Sequence, residues 1–277
     1  MKSVGVAIKA IALWAVILVA GMATGMLFHW DAVPQKVDVI NPLIALAIVD
    51  TIVAVVLTIL AECMRLRGWR LGLVLALILF VVETALSSIE VLAFNNDLNI
   101  PKSIVVNGLL SSLLRDLIVA VVIALLWRKG AFEPAPRLQG LVWKPPVIAV
   151  LYIVAYFIAG ILIVLPNPAA KAFYSHWPQI DPLRLLILQF GRGLVWCLMA
   201  FLLVRNLRAP AWVAAILTGI TFAVLMGDVL LLPNAYMPWP VRCVHLVEIG
   251  ASNVVFGIIA GLILLSGAKA RSAADRP

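Results

Sequence analysis

The sequence predicts an all-α fold, a polytopic membrane bundle of eight transmembrane helices arranged as two similar four-helix halves. Three observations predict it. Of 277 residues, 64% are hydrophobic and 12% charged, and the mean hydropathy is +1.12, well outside the range of soluble domains. Apolar runs long enough to cross about 30 Å of hydrocarbon, about 20 helical residues each, recur along the chain. Basic residues gather in alternate connections, the positive-inside pattern.

The runs are 10–28, 43–64, 71–94, 103–127, 147–165, 183–204, 211–232 and 241–265. The first follows Lys2 and Lys9 as a signal peptide would. Its apolar core exceeds the 7–15 residues typical of a signal (about that range) and has a counterpart in the second half, so it reads as a span. Arg65, Arg67 and Arg70 lie between the second and third runs, and Arg128, Lys129, Arg137 and Lys144 between the fourth and fifth. Arg205 and Arg208 separate the sixth and seventh, and Lys269, Arg271 and Arg276 follow the eighth. The other connections hold Asp31, Asp38, Asp97 and Asp181 against Lys36 and Lys171. This places both termini in the cytoplasm of a bacterial inner membrane. The net charge of +8 is thereby assigned to topology, with the lipid bilayer as partner and no nucleic acid.

Tryptophans 30, 69, 127, 143, 177, 212 and 239 fall at the ends of runs, where an indole sits well at the membrane surface, while Trp14 and Trp196 lie inside them. Cys63, Cys197 and Cys243 are spread over different depths and are read as small buried hydrophobes. The outer connections 166–180 and 233–240 are rich in proline, and the second reads as a stiff cap.

Residues 1–277 form a single integral membrane domain with repeats 1–130 and 141–268 and a cytoplasmic linker, 128–144. Asn41-Pro42-Leu43 corresponds to Asp181-Pro182-Leu183, Arg65 to Arg205, and Trp69 to Trp212 with a small slip. Four spans per half give both halves the same orientation, about an axis along the membrane normal.

Charged groups inside a bilayer mark functional sites by default. The acids are Asp50, Glu62, Glu83, Glu90, Asp116, Asp228 and Glu248; the deep bases are Arg115 and Arg192. Arg242, His245, Glu248 and Ser252 share a face of the last span, and Glu83, Ser87 and Glu90 share one of the third. Pairing of Arg115 or Arg192 with Glu83, Glu90 or Asp228 is the structural reading. The acids outnumber the deep bases, which calls for protons or a cation. Any metal would rest on His245 and Glu248. Gly-x-Ser-x-Gly, His-Glu-x-x-His, phosphate-binding glycine loops and Cys-x-x-Cys are absent from the sequence, and no cofactor is assigned. Gly191-Arg192-Gly193 flanks an arginine with small residues that permit close helix approach.

Leu231 through Pro238, Val241-Arg-x-x-His-x-x-Glu248 and Ser252-Asn-x-x-Phe-Gly257 resemble the closing stretch of uncharacterised bacterial multi-pass membrane proteins. Gly191-Arg-Gly-Leu-x-Trp196 and Ser88-Ile-Glu90 are similar too. That family has no established function; the resemblance singles out Glu90, Arg192, Asn234, Tyr236, Arg242, His245, Glu248 and Asn253. With Asp228 these form the expected substrate- or proton-binding set in the outer half. The preferred reading is a small-solute or ion transporter coupled to protons; an intramembrane enzyme acting on a lipid or isoprenoid, with or without a metal, and a non-catalytic membrane subunit are the alternatives.

Overall fold

The computed structural model describes residues 2–28, 39–93, 100–130, 134–175, 181–234 and 236–268. Of the expectations above, those on Trp30, Asp31, Lys36, Asp38, Asp97, Trp177, Lys269, Arg271 and Arg276 lie outside the described residues. Among the described residues the fold is all-helical, and eight helices are long and apolar enough to span a membrane.

Span one is α1 (Lys2–Leu27) and span two is α2 (Pro42–Cys63). Span three is α3 (Gly68–Leu79), a π-helical turn (Phe80–Ala85) and α4 (Leu86–Ala93). Span four is α5 (Lys102–Leu126), and span five is α6 (Lys144–Ala159) with a second π-turn (Gly160–Val164). A short helix, α7 (Pro168–Tyr174), precedes span six, α8 (Pro182–Asn206). Span seven is α9 (Ala211–Gly227) ending in a 3₁₀ turn (Asp228–Leu231), and span eight is α10 (Trp239–Leu265).

Local chemistry sets the helix starts. Asn41 and Asp181 each stand before a proline, and each side chain accepts a hydrogen bond from a leucine N–H two residues on, at 2.9 and 3.0 Å. Proline suits the first helical position because its missing donor would be unpaired there anyway. Span one begins earlier than its apolar run because Lys9 is no terminus. Its ammonium meets Glu62 at 2.9 Å and lies 4.7 Å from the centre of the Trp127 ring. Trp127, expected at the membrane surface, is buried instead, with its indole N–H donating to Glu62 at 2.8 Å.

In each half, the first span packs on the second and the fourth, and the third packs on the fourth. Small residues set the closest approaches. A β-carbon at Gly72 would lie 2.2 Å from the Ala120 carbonyl oxygen, so spans three and four touch backbone to backbone. Gly261 meets Ala215 in the same manner between spans eight and seven. Gly193 does so against Ala149, joining spans six and five, whereas Gly191 faces open space. Between these contacts, Tyr152, Trp196, Phe222 and Phe256 from spans five to eight pack in edge-to-face, tilted and stacked pairs, with Trp196 and Phe222 ring centres 4.5 Å apart.

At the end bearing the termini, the connection after span two pairs with the connection after span six. Met64 and Leu207 form an antiparallel bridge; Arg65 N–H donates to the Asn206 carbonyl and Arg208 N–H to the Cys63 carbonyl, both at 2.7 Å. Lys144, almost fully buried, donates to the carbonyls of Leu264 and Ser266 and so caps span eight.

Candidate functional site

Apart from the Lys9–Glu62 pair and Arg242, most ionisable residues of the spans gather at two places, both built by the two halves together. The first lies towards the end opposite the termini. Glu90 of span three accepts from Arg192 Nη1 of span six at 2.8 Å, and Arg192 also donates to Gln189 Oε1 at 3.1 Å. Gln189 and Arg192 are buried, while the Glu90 side chain keeps 27% of its surface open. The guanidinium stands 5.7 Å from the Tyr152 ring centre, a cation–π placement on span five. Of the partners the sequence left open for Arg192, the structure places Glu90 against it.

On span eight, His245 Nδ1 and Glu248 Oε2 are 2.6 Å apart. The other imidazole nitrogen, Nε2, is 2.7 Å from the Tyr174 hydroxyl on α7. Burial, with the Glu248 and Glu90 carboxylates adding to it, pushes the Tyr174 hydroxyl above its ordinary range, so the phenol keeps its proton. It can then donate to Nε2, which leaves Nδ1–H to donate to Glu248. Tyr152, Tyr156 and Tyr174 all sit within electrostatic reach of both Glu90 and Glu248, so the Glu90–Arg192 pair and the His245–Glu248 hydrogen bond face one place. A groove of about 270 Å³ bounded by Val164, Leu165, Lys171 and Tyr174 opens beside it.

Tyr174 was missed from the sequence. It sits on a seven-residue helix, too short for a hydrophobic period, and the available signal was Asn167-Pro168, where Asn167 caps the helix by accepting from Ala169 and Ala170. Tyr152 and Tyr156, four residues apart on span five, were missed because tyrosine within an apolar run reads as packing.

The second place lies between spans two, three, four and seven. Arg115 donates from Nη1 and Nη2 to the two oxygens of Glu83 at 2.8 and 3.0 Å, and from Nε to Asp116 at 2.8 Å. Asp50 and Asp228 are buried within electrostatic range of this pair. Asp228, expected with Glu90 and His245, therefore stands among the acids of the other cluster. Glu83 and Glu90 likewise do not share a face. The π-turn at Phe80–Ala85 carries an extra residue, and one residue is worth about 100° of helix rotation. Glu83 turns to span four, Ser87 to Met226 of span seven, and Glu90 to span six.

The remaining expected residues have other roles or neighbours. Arg242 bends away from His245, donates to the Leu230 and Leu232 carbonyls freed by the 3₁₀ turn, and lies 5.1 Å from the Trp239 ring centre. Asn234 organises the turn before span eight by accepting from Tyr236 N–H at 3.1 Å and Met237 N–H at 2.8 Å. Asn253 is buried beyond Glu248 on span eight. His245 Nδ1 faces Glu248 and Nε2 faces Tyr174, and among the described residues no three His, Cys, Asp or Glu side chains converge as ligands.

Compared with protein families, curated proteins and solved structures, the chain matches no family model, no curated protein and no solved structure. What is established is a polytopic membrane protein with an all-helical fold.

Proposed function

We propose that this protein is a small-solute or ion transporter of a bacterial inner membrane, with both termini cytoplasmic, a polar solute site around Glu90, Arg192, His245 and Glu248, and coupling to protons. One observation carries the reading: the spans lose α-helical geometry where their ionisable or aromatic polar groups cluster. Span three breaks at Glu83, span five just beyond Tyr156, and span seven at Asp228. Irregular backbone at membrane depth is tolerated only where it is buried in protein or lines a polar cavity. Interrupted helices meeting near the interface of two structural repeats are how transporters build their sites. The reciprocal bonding of the two end connections and the like packing of the two halves support a duplication along the membrane normal.

The test is proton flux in liposomes holding an entrapped pH-sensitive dye, with a panel of small polar metabolites added outside. Solute-dependent flux is expected in the wild type, with at least a tenfold loss in Glu90→Gln. A wild type that moves no proton with any class of solute overturns the reading.

A second reading has its own observation. The line Tyr174 Oη, His245 Nε2, His245 Nδ1, Glu248 Oε2, with separations of 2.7 and 2.6 Å, places a hydroxyl, a base and an orienting carboxylate in order. That is the arrangement an activated nucleophile or a general acid needs. Release of a labelled headgroup or product from supplied lipid, abolished in His245→Ala, would favour it.

A further inference from the structure

We propose that Asp228 and Asp50, beside the Glu83–Arg115–Asp116 network, form a proton-binding site inside the membrane. The argument starts from unpaired oxygens. Asp228 is 4% exposed and Asp50 is 3% exposed. Both carboxyl oxygens of Asp228, Oδ2 of Asp50 and Oδ2 of Asp116 are buried without a hydrogen-bond donor. A buried ionised carboxylate with no donor is among the costliest groups a protein can hold, and the usual remedy is to bind a proton.

The surroundings offer no other remedy. The charged groups on the elements around the pocket are already committed to other partners, and span one contributes none. The single guanidinium from span four turns its three nitrogens to Glu83 and Asp116, and no bond from it reaches Asp50 or Asp228. Glu83, from span three, adds like charge. Span one contributes Thr24, which takes the Ser111 hydroxyl at 3.1 Å, and its Gly21 flanks the Arg115 stem. From span eight, Arg242 bonds the Leu230 and Leu232 carbonyls, two and four residues past Asp228 in the chain. Four carboxyls thus share one guanidinium.

A proton fits and a metal ion does not. A hard cation takes about six oxygens, and among the described residues no three acidic or His side chains converge on one point. A proton needs only one oxygen, and the carboxylic acid it creates is itself a donor to a neighbouring carboxyl. The placement of Asp228 at the helix break, where span seven turns 3₁₀, ties proton occupancy to the geometry of that span. The proposal deepens the transporter reading by naming the proton as the coupled ion, yet it can be tested without any solute.

The experiment is pH-titrated infrared spectroscopy of the full chain in lipid bilayers, following the carbonyl stretch of protonated carboxyls. The wild type is compared with Asp228→Asn and Asp50→Asn, whose neutral amides imitate the protonated side chain, each checked for folding by circular dichroism. The expected result is a protonated-carboxyl band that disappears on raising pH in the wild type and is diminished in each variant. Should one variant fail to fold, the wild-type band and the other variant still decide. A wild type without such a band at any pH, a band unchanged in both folded variants, or a melting temperature that rises with sodium and not with acid overturns the proposal. A titrating band together with absent solute-driven flux rejects the transporter reading and leaves the proton site. Flux without the band does the reverse.

Discussion

The ion pair between spans three and four offers the most exacting test of how the bundle is held. Glu83→Leu removes both acceptors of the bidentate contact and leaves Arg115 with Asp116 alone. Breaking a buried pair by deleting one partner costs about 3–5 kcal/mol. Because Asp116 still balances the guanidinium, the lower end, about 3 kcal/mol, applies here. Arg115→Leu instead strands the acids around it and falls at the upper end, about 5 kcal/mol. At about 2–4 °C per kcal/mol for a chain of this size, Glu83→Leu should melt about 6–12 °C below wild type. The double variant removes attraction and penalty together, so it should cost no more than Arg115→Leu by itself. The assay is thermal unfolding in mild detergent followed by intrinsic tryptophan fluorescence, in all four members of the cycle. Additivity of the two single losses to within about 0.5 kcal/mol would refute the pairing.

Further outcomes follow from the same geometry. Gly72→Ala pushes a methyl group into the Ala120 carbonyl and should cost about 1–3 kcal/mol, whereas Gly191→Ala, which meets nothing within 4 Å, should be neutral or slightly stabilising; equal melting shifts would contradict the packing. At the end bearing the termini, Lys9→Ala should cost under about 1 kcal/mol, since both partners are about one-third exposed. Glu62→Ala should cost more, about 1–3 kcal/mol, because it also strands the buried Trp127 N–H; the reverse order in unfolding measurements would count against this assignment. Tyr174→Phe should abolish solute-driven flux while costing only about 1 kcal/mol of stability, and flux at the wild-type level would remove Tyr174 from the site.

The spans were legible in the sequence because each is a long apolar run, and no rival element fits twenty such residues. Two ion pairs were legible in outline, Arg115 with Glu83 and Arg192 with Glu90, because a bilayer leaves buried charges few partners. His245 and Glu248 follow from helical spacing alone. The division of the acids into two clusters was hidden. It depends on the π-turn in span three, which has no residue signature in Phe80–Ala85 and shifts every later side chain. Arg242 looked like a site residue because its helical spacing aligns it with His245. Its guanidinium is drawn instead to the Leu230 and Leu232 carbonyls left open where span seven ends. Trp127 looked like a surface anchor for the same reason that buried tryptophans often do: position in sequence gives depth but not facing.

The spacing of partners along the chain also has a meaning in time. Synthesis at about 5–20 residues per second makes sequence separation a delay. Arg115 follows Glu83 by 32 residues, so that pair waits roughly 2–6 s. Gln189 comes 99 residues after Glu90, a wait of roughly 5–20 s in which Glu90 sits in the membrane before span six arrives. Longest of these is the wait of the Met64 carbonyl for Arg208, 144 residues on, and this one is spent at the membrane surface, where water can serve as the interim partner. During biosynthesis, then, the Glu83–Arg115 pair closes first, the contacts of Glu90 with span six follow, and the two end connections join once Arg208 emerges, before Asp228 and the His245–Glu248 pair have been made.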